Sequence, residues 1–402
     1  MAILQHGHLV HVSTGHSLGG EERRLLQLFE ALRENGWRVS LVTLVDGGLA
    51  AEVQEHGEVV YSLRMRGRWD YHVLGSALEI TSQLRPDVLQ SDAVRSHIVS
   101  RYCAMRLHCP HISLVSTDYW HDPVGKGCWR PLSQLLDLMT SRCSSAYLVA
   151  NAHLANRLRR VGTPSHRIHL IRHGLRWPDP QTIQVATTRI RRQWALPTDG
   201  LLVVVIAMVR PQKRIEDVLD AWRSIRQAFP QARLAIVGGA YAGQAGYVQR
   251  LRAQAQQWGL TSDVLWVGEV DAGSFWCAVA DVVVLPSLSE GIPRVILEAM
   301  AAARPVVATN VPGTREIVEH GVTGLLVDVR APAQLAEAIS SLMADPARCA
   351  QMGTAARRRW EESHQFEHMV HDSLAVYQAL LVSQRPSRQR DHGALVEPMV
   401  SA

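Results

Sequence analysis

Two glutamates, Glu290 and Glu298, are separated by seven residues and follow a short apolar segment. That segment, residues 281–285, is predicted to be a buried strand, and a helix is predicted to begin near Pro293. The first glutamate therefore lies on the connecting loop, and the second lies about one and a half turns into the helix. Free N–H groups at a helix start suit an anion such as a phosphate. Carboxylates accept hydrogen bonds from sugar hydroxyls and stabilise developing positive charge.

A basic turn follows the apolar strand that is predicted at residues 201–207. It contains Arg210 and Lys213. Arginine can donate two parallel hydrogen bonds to a phosphate, and lysine supplies a compact positive charge, so the turn is a candidate anion clamp. An ordinary basic surface loop would have the same composition, and the residue types alone leave both interpretations open.

A glycine pair, Gly19 and Gly20, stands between the predicted strand 9–12 and the predicted helix 21–35. Glycines at such a place let the backbone approach a diphosphate or a sugar closely. Glycine pairs also occur in plain turns, so the order of strand, glycines and helix carries the argument.

Short apolar strands alternate with helical segments along most of the chain. This alternation predicts parallel sheets covered by helices on both faces, which is the α/β class. In the first half, strands are predicted at residues 9–12, 38–44, 59–62, 87–90, 111–116 and 146–150. In the second half, they are predicted at residues 201–207, 233–238, 264–267, 282–285, 305–309 and 324–327.

Region 174–200, which contains prolines and tryptophans, interrupts the alternation. It predicts a linker between two Rossmann-like domains, 1–173 and 201–359. A last helix is predicted over residues 360–382, with a loose tail at 383–402. Two doubly wound domains that face each other hold their ligand between the carboxyl ends of their strands.

The motifs around the glutamates resemble those of the retaining family 4 glycosyltransferases, whose two facing Rossmann-like domains form the GT-B fold. The Glu-x7-Glu spacing, the Arg-x-x-Lys turn and the Gly-Gly-x-x-Arg sequence at Gly19 carry this resemblance. It is also carried by the motifs that follow Glu298, which are Ala299-Met300-Ala301, Arg304 to Thr309, Pro312-Gly313, Arg315 to Val318 and Gly321 to Val327. The resemblance implies an N-terminal acceptor domain, a C-terminal nucleotide-sugar domain and a last helix that returns to the N-terminal domain.

The resemblance also implies a role for each candidate residue. Arg210 and Lys213 would bind the leaving diphosphate. Glu290 would touch the transferred sugar, and Glu298 would hold the donor ribose hydroxyls. The remaining expected donor contacts are Gly19 and Gly20 in the first loop, the N–H groups of Gly291 and Ile292 near the sugar or phosphate, and Gly268 to Val270 beside the nucleobase.

One position departs from the family pattern. Members usually have a histidine after the strand that ends near Ser116, and Thr117 occupies that position here. His121 lies four residues further on and could act in its place if the loop bends inward. Asp118 is the other candidate for a direct catalytic role.

No metal and no cofactor other than the nucleotide sugar, UDP- or GDP-linked, is expected. An Asp-x-Asp pair that could hold Mg²⁺ or Mn²⁺ on a diphosphate does not occur, and the basic turn would supply the charge instead. His364, Glu367 and His368 match the H-x-x-E-H pattern of some zinc proteases, which leaves a zinc hydrolase as a rival hypothesis. The polar face of the last helix is the other interpretation of that pattern.

The net charge of +5 permits contact with acidic surfaces. Basic clusters at residues 64–68 and 157–160 are candidates for an anionic membrane face, or for an ordinary solvated surface. No nucleic-acid-binding motif is present. Six cysteines without a C-x-x-C spacing predict reduced thiols. Neither a signal peptide nor a bilayer-spanning segment is found. We therefore expect a cytoplasmic protein, which would be peripheral on the inner membrane face if it binds lipid.

The resemblance implies transfer of a sugar from a nucleotide-diphosphate sugar to an acceptor hydroxyl, with retention, and we expect a saccharide or lipid-linked acceptor. Synthesis of cell-surface polysaccharide, lipopolysaccharide or glycolipid is the expected setting. Two alternatives use the same fold. One is a nucleotide-sugar hydrolase or epimerase, and the other is a non-catalytic nucleotide-sugar-binding protein, which Thr117 motivates.

Overall fold

Two parallel sheets divide the described part of the chain. The computed structural model describes residues 7–15, 20–55, 59–67, 70, 72–116, 130–196, 201–241, 243–270 and 273–391. Within these residues, a seven-stranded sheet belongs to the first half and a six-stranded sheet to the second. The predicted α/β class with two doubly wound, Rossmann-like sheets is therefore confirmed.

The first sheet has the strand order β3-β2-β1-β4-β5-β6-β7, with every pairing parallel. Its elements in chain order are β1 His8–Ser13, α1 Gly20–Glu34, β2 Arg38–Thr43, α2 Gly48–Glu55, β3 Val60–Ser62, α3 Val73–Leu84, β4 Val88–Ser91, α4 Val94–Leu107, β5 His111–Val115, α5 Arg130–Ser141, β6 Ala146–Val149, α6 Ala152–Arg160 and β7 Ile168–Leu170. The order reverses between β1 and β4, which makes that crevice the switch point of the sheet.

The second sheet has the order β10-β9-β8-β11-β12-β13, again parallel throughout. Its elements are α7 Pro180–Gln193, β8 Leu202–Ile206, α8 Ile215–Ala228, β9 Arg233–Val237, α9 Ala245–Gln257, β10 Val264–Gly268, α10 Ser274–Val279, β11 Val282–Leu285, α11 Arg294–Ala301, β12 Val306–Thr309, α12 Pro312–Ile317, β13 Gly324–Val327, α13 Pro332–Met343, α14 Pro346–Ser363 and α15 Phe366–Asp391. Its switch point lies between β8 and β11.

The apolar strands are buried on both faces, as parallel strands between helical layers must be. In β8, Val203 and Val205 belong to one core cluster, whereas Leu202 and Val204 belong to the cluster on the opposite face. This two-residue alternation follows from the pleat of the strand.

The linker predicted at residues 174–200 contains a helix. An aspartate, Asp179, caps α7 by accepting a hydrogen bond from the Thr182 N–H at 2.9 Å. After the helix, the Trp194 ring meets the Trp276 ring edge to face with centroids 5.9 Å apart. Most of this segment therefore packs against the second sheet, although the domain limits themselves stay a prediction.

The prediction of one helix over residues 360–382 is wrong at both ends. The helix α14 ends at Ser363, and α15 begins at Phe366 and continues to Asp391, into the predicted tail. The break occurs because residue 364 pairs with the segment that follows β7. The Leu175 N–H donates to the His364 carbonyl at 2.9 Å. Gly174 permits this approach, since a Cβ at that position would lie 2.5 Å from the Gln365 carbonyl oxygen.

The last helix returns to the first sheet, as the family resemblance implies. Phe366, Met369 and Tyr377 belong to the same buried cluster as Leu9 and residues of α1. The Tyr377 hydroxyl donates to Gln90 Oε1 at 2.7 Å, from the helix to β4. No helix in the described ranges is both long enough and apolar enough to cross a membrane.

Two helical glycines predict opposite effects of the same substitution. Gly353 is buried in α14, and a Cβ there would overlap the carbonyl oxygen of Ala303, so Gly353→Ala should destabilise the protein by about 1–3 kcal/mol through overpacking. Gly75 is exposed in α3, and an added methyl group would have no atom within 4 Å, so Gly75→Ala should stabilise by about 0.5–1 kcal/mol. Thermal unfolding of both variants checks the pair, and a stabilising Gly353→Ala would contradict the close packing of α14.

Candidate functional site

The predicted donor residues follow strands of the second sheet at their carboxyl ends. Arg210 and Lys213 follow β8, Glu290 follows β11, and Gly268 ends β10. Because β8 and β11 flank the switch point, the cationic turn and the first glutamate face each other across the crevice where ligands of such sheets bind.

The basic turn and the glutamate loop are joined directly. The Lys213 ammonium lies 2.5 Å from Glu290 Oε1, and both side chains are mostly buried, with 15% and 11% exposure. The Gln212 amide donates to the Ser289 hydroxyl at 2.8 Å, and the Leu288 N–H donates to the Gln212 carbonyl at 2.9 Å. The 3₁₀ turn Pro211–Lys213 is thereby fixed against residues 288–290.

Arg210 begins the same turn in an extended conformation. Its guanidinium stacks over the Tyr241 ring, 5.3 Å from the centroid. Its Nε is buried and has no hydrogen-bond partner within the described ranges. Since a buried charged donor without a partner is costly, this nitrogen is suited to an anionic ligand.

Glu298 lies on α11 with only 7% of its surface exposed. Burial raises the pKa of its carboxyl group, while Arg294 opposes that rise, donating from Nε to Glu298 Oε1 at 2.8 Å. Arg23 of α1 also opposes it from the other half of the chain. A carboxylate held in this way can accept hydrogen bonds from hydroxyl groups of a ligand.

Glycines shape the rim of the crevice. Gly268 has φ +80° and Gly238 has φ +134°, conformations that side chains rarely adopt. The Gly238 N–H donates to the Gly268 carbonyl at 2.8 Å, which ties the loop after β9 to the loop after β10. Val270 follows on the latter loop and packs partly buried against the core. These loops lie where the nucleobase contacts were predicted.

The first half reaches the same site through the start of α1. A Cβ at Gly20 would lie 3.5 Å from Cβ and Cδ of Arg294, so the two helix starts meet across the crevice. Gly19 lies outside the described residues. The acceptor-side candidates Asp118 and His121 also lie outside them. So does Thr117, the position that differs from the family pattern.

A carboxylate that the sequence motifs do not include occupies the switch point of the first sheet. Asp92 follows β4, and its Oδ2 accepts from the Ser13 hydroxyl at 2.7 Å and lies 3.4 Å from His11 Nε2. Its Oδ1 accepts from the Ser96 hydroxyl at 3.1 Å. The signal available from the sequence was positional, because a polar residue directly after an apolar strand marks the ligand-binding edge.

The H-x-x-E-H pattern does not form a ligand face. His364 lies between the last two helices and its Nδ1 faces the His173 carbonyl at 3.1 Å, whereas Glu367 and His368 are exposed on α15. Across the described residues, no group of three or more His, Cys, Asp or Glu side chains is placed to hold a metal ion.

Two family profiles match the chain. The profile described as glycosyl transferases group 1 matches residues 186–359, and the profile described as glycosyltransferase family 4 matches residues 18–176. The first profile contains Arg210, Lys213, Glu290 and Glu298, and the second contains the start of α1. Together they cover both halves of the structure.

Curated relatives agree with these profiles. The D-inositol 3-phosphate glycosyltransferase of Xylanimonas cellulosilytica is 32% identical over 51% of this chain and 51% of its own length. The chain thus spans about half the length of this relative. The N-acetyl-alpha-D-glucosaminyl L-malate synthase of Bacillus anthracis is 23% identical over 91% of this chain and 95% of its own length.

Solved structures share the fold. The structure of Anabaena Alr3699/HepE in complex with UDP and glucose superposes with a TM-score of 0.81 at 19% identity, covering 93% of this chain and 100% of that one. The sucrose-phosphate synthase of Thermosynechococcus elongatus superposes with a TM-score of 0.77 at 20% identity, covering 94% and 100%. With both halves matched by family profiles and two Rossmann-like sheets arranged as in these structures, the chain belongs to the group 1, family 4 glycosyltransferases and has their GT-B fold.

Proposed function

We propose that this protein transfers a glycosyl group from a nucleotide-diphosphate sugar to an acceptor hydroxyl, with retention at the anomeric carbon. The observation that carries the proposal is the meeting of Arg210, Lys213 and Glu290 at one switch point. Glu298 adds a buried carboxylate on the adjoining helix. Two cations suit a diphosphate, and two carboxylates suit hydroxyl groups, so the site has complementary groups for both parts of a nucleotide sugar.

The reaction begins with cleavage of the bond between the anomeric carbon and the diphosphate oxygen. The electron pair leaves with the diphosphate, and Arg210 and Lys213 stabilise the charge that develops there. Glu290 lies next to Lys213, on the side where the sugar would be, and stabilises the oxocarbenium-like centre. The acceptor oxygen then forms the new bond on the same face, and its proton passes to the departing phosphate.

The donor is a UDP- or GDP-sugar under this proposal. A UDP complex of HepE and a relative named as a GDP-mannose-dependent mannosyltransferase support both bases. The unpartnered Nε of Arg210 supports direct charge neutralisation of the diphosphate by the protein. Glu298 holds the ribose hydroxyls, and the loop from Gly268 to Val270 contacts the base.

We propose a saccharide or lipid-linked acceptor, reached from the cytoplasm, in the synthesis of a surface polysaccharide, lipopolysaccharide or glycolipid. Asp92 and Ser13 would line the acceptor side, and His121 or Asp118 remains the candidate for a direct catalytic role. A relative named as a phosphatidylinositol monomannoside mannosyltransferase supports a lipid-linked acceptor.

Nucleotide binding should stabilise the protein measurably. With one of UDP, GDP, ADP or dTDP at 100 times its dissociation constant, the stabilisation should be about 2.7 kcal/mol, which thermal unfolding detects. Glu298→Ala should abolish the shift because the ribose loses its acceptor, whereas Glu337→Ala, at an exposed helical glutamate, should keep it. Wild-type protein that responds to none of the four would contradict the proposed function.

Removing the charge of Glu290 should separate binding from turnover. In Glu290→Gln, Lys213 loses its carboxylate partner and is free to bind phosphate, so the affinity for the nucleoside diphosphate should stay or rise. Release of nucleotide from the donor sugar should fall by about 100-fold or more, because the positive centre loses its stabilising charge. Calorimetry and a nucleotide-release assay measure the two effects, and a matched fall in both would reject the assigned role.

The proposal also includes binding of the N-terminal half to an anionic membrane surface. The exposed arginines of α6, Arg159 and Arg160, and the exposed apolar side chains of Leu135 and Met139 on α5 lie in the N-terminal half. We expect flotation with anionic vesicles and less with neutral vesicles, since each basic residue near an anionic surface contributes about 1 kcal/mol. Equal and negligible flotation with both would remove the membrane from the proposal.

A further inference from the structure

The loop that carries Glu290 accepts a hydrogen bond from a buried side chain of the opposite half of the chain. The Asn151 Nδ2 donates to the Gly291 carbonyl at 3.2 Å, and Asn151 is 2% exposed. Asn151 stands between β6 and α6, in the N-terminal half, while Gly291 follows Glu290 directly in the C-terminal half. This hydrogen bond therefore exists only when the two halves are together.

The same side chain has a second, local role as a helix cap. Its Oδ1 accepts from the Leu154 N–H at 2.8 Å and so caps α6. Serine and aspartate cap a helix about as well as asparagine does. Among these residues only asparagine adds an N–H₂ group that can donate to a carbonyl while the oxygen caps. The capping role alone does not require asparagine.

Two further contacts join the halves at this place. Ile292 packs against the buried cluster of the N-terminal half that contains Tyr147, Val149 and Leu154. The Ala152 N–H donates to Glu316 Oε1 at 2.5 Å, from the start of α6 to α12. The contact is thus a small patch with an apolar centre and two hydrogen bonds.

The Gly291 carbonyl is confined from its other side as well. A Cβ at Gly313 would overlap the carbonyl oxygen of Gly291 and would lie 2.5 Å from that of Glu290, so α12 packs directly against this backbone. The residue before, Glu290, is held by Lys213 at 2.5 Å. A loop with its backbone fixed on both sides has little freedom to displace the Glu290 carboxylate.

We propose that Asn151 is a positioning residue that couples closure of the two halves to the placement of Glu290, acting through the Gly291 carbonyl. The inference rests on the proposed function, in which Glu290 stabilises the reacting sugar. When the halves separate, the Gly291 carbonyl loses its donor and Ile292 loses its packing on the N-terminal half, so of these contacts the loop keeps only those with Gly313 and Lys213. Catalytic geometry is then complete only with the acceptor half docked, which limits loss of the donor sugar to water in the open state.

The decisive variant is Asn151→Asp. It keeps the oxygen that caps α6 but replaces the donor by a carboxylate that repels the Gly291 carbonyl. Nucleotide release from the donor sugar identified by thermal shift should fall at least about ten-fold, because a displacement of 1 Å in a catalytic group costs up to about 100-fold. Affinity for the nucleoside diphosphate should stay within about two-fold, since Asn151 does not touch Arg210, Lys213 or Glu298.

Three comparisons make the result specific. Asn156→Asp makes the same chemical change at an exposed position of α6 and should leave turnover unchanged. Asn151→Ser keeps a cap without the N–H₂ group and should resemble Asn151→Asp in turnover, while losing less thermal stability than Asn151→Ala. Asn151→Ala removes both duties and should lose stability as well. Wild-type turnover in Asn151→Asp, or an equal fall in turnover and nucleotide affinity, would overturn the proposal.

Small-angle X-ray scattering separates this proposal from the proposed function. If the hydrogen bond stabilises closure, Asn151→Asp should have a larger radius of gyration than wild type and Asn156→Asp in the presence of the nucleoside diphosphate. Wild type that neither binds nor turns over a nucleotide sugar would reject the function, and the scattering comparison without nucleotide would then test only whether the Asn151 hydrogen bond stabilises closure. Identical radii of gyration would reject a role of Asn151 in closure.

Discussion

Parallel pairing is the constraint on which the rest of this structure depends. In a parallel sheet every strand points the same way, so each strand delivers its following loop to one edge. The second sheet thereby collects the turn at Arg210, the glutamate loop at Glu290 and the glycine loops after β9 and β10 at a single crevice. The first sheet does the same for Ser13 and Asp92. Because the two edges face each other, contacts between the halves, such as Gly20 with Arg294, arise from the helix starts and loops at both edges.

Backbone atoms take part in several contacts between distant segments. At Gly174 the missing side chain admits the main chain of Gln365 and Phe366, and the Gly291 carbonyl accepts a hydrogen bond from Asn151 of the N-terminal half. Hydrogen bonds across such contacts each contribute a net of about 0.5–1.5 kcal/mol. A few of them define one closed arrangement without making it irreversible, which suits an enzyme that must admit and release ligands.

Much of this architecture could be predicted from the sequence, and the reason is burial. Strands such as Val282–Leu285 are apolar on both faces, so a run of Val and Leu between turns identified them to within one residue. The exception was Ile168–Leu170, a short and only half-buried strand at the sheet edge, where the apolar signal is weak. The donor residues were found by reading which polar groups follow a strand and by a family resemblance.

Contacts between distant segments could not be predicted in this way. Nothing in the residues around Asn151 indicates a bond to Gly291, which is 140 positions away. The break between α14 and α15 is likewise set by pairing with Leu175, a tertiary effect that helix periodicity does not contain. The acceptor-side candidates Asp118 and His121 lie outside the described residues and remain predictions.

The returning helix α15 imposes an order on biosynthesis. The strands of the first sheet leave the ribosome early, yet one face of that sheet is completed by Phe366, Met369 and Tyr377, which are synthesised after the whole second sheet. The bond between Tyr377 and Gln90 spans 287 positions, so it closes a very long loop. Until then the nascent N-terminal half presents an unfinished apolar face. Such a surface is prone to aggregation, and its exposure ends only when α15 has been synthesised and has docked on the first sheet.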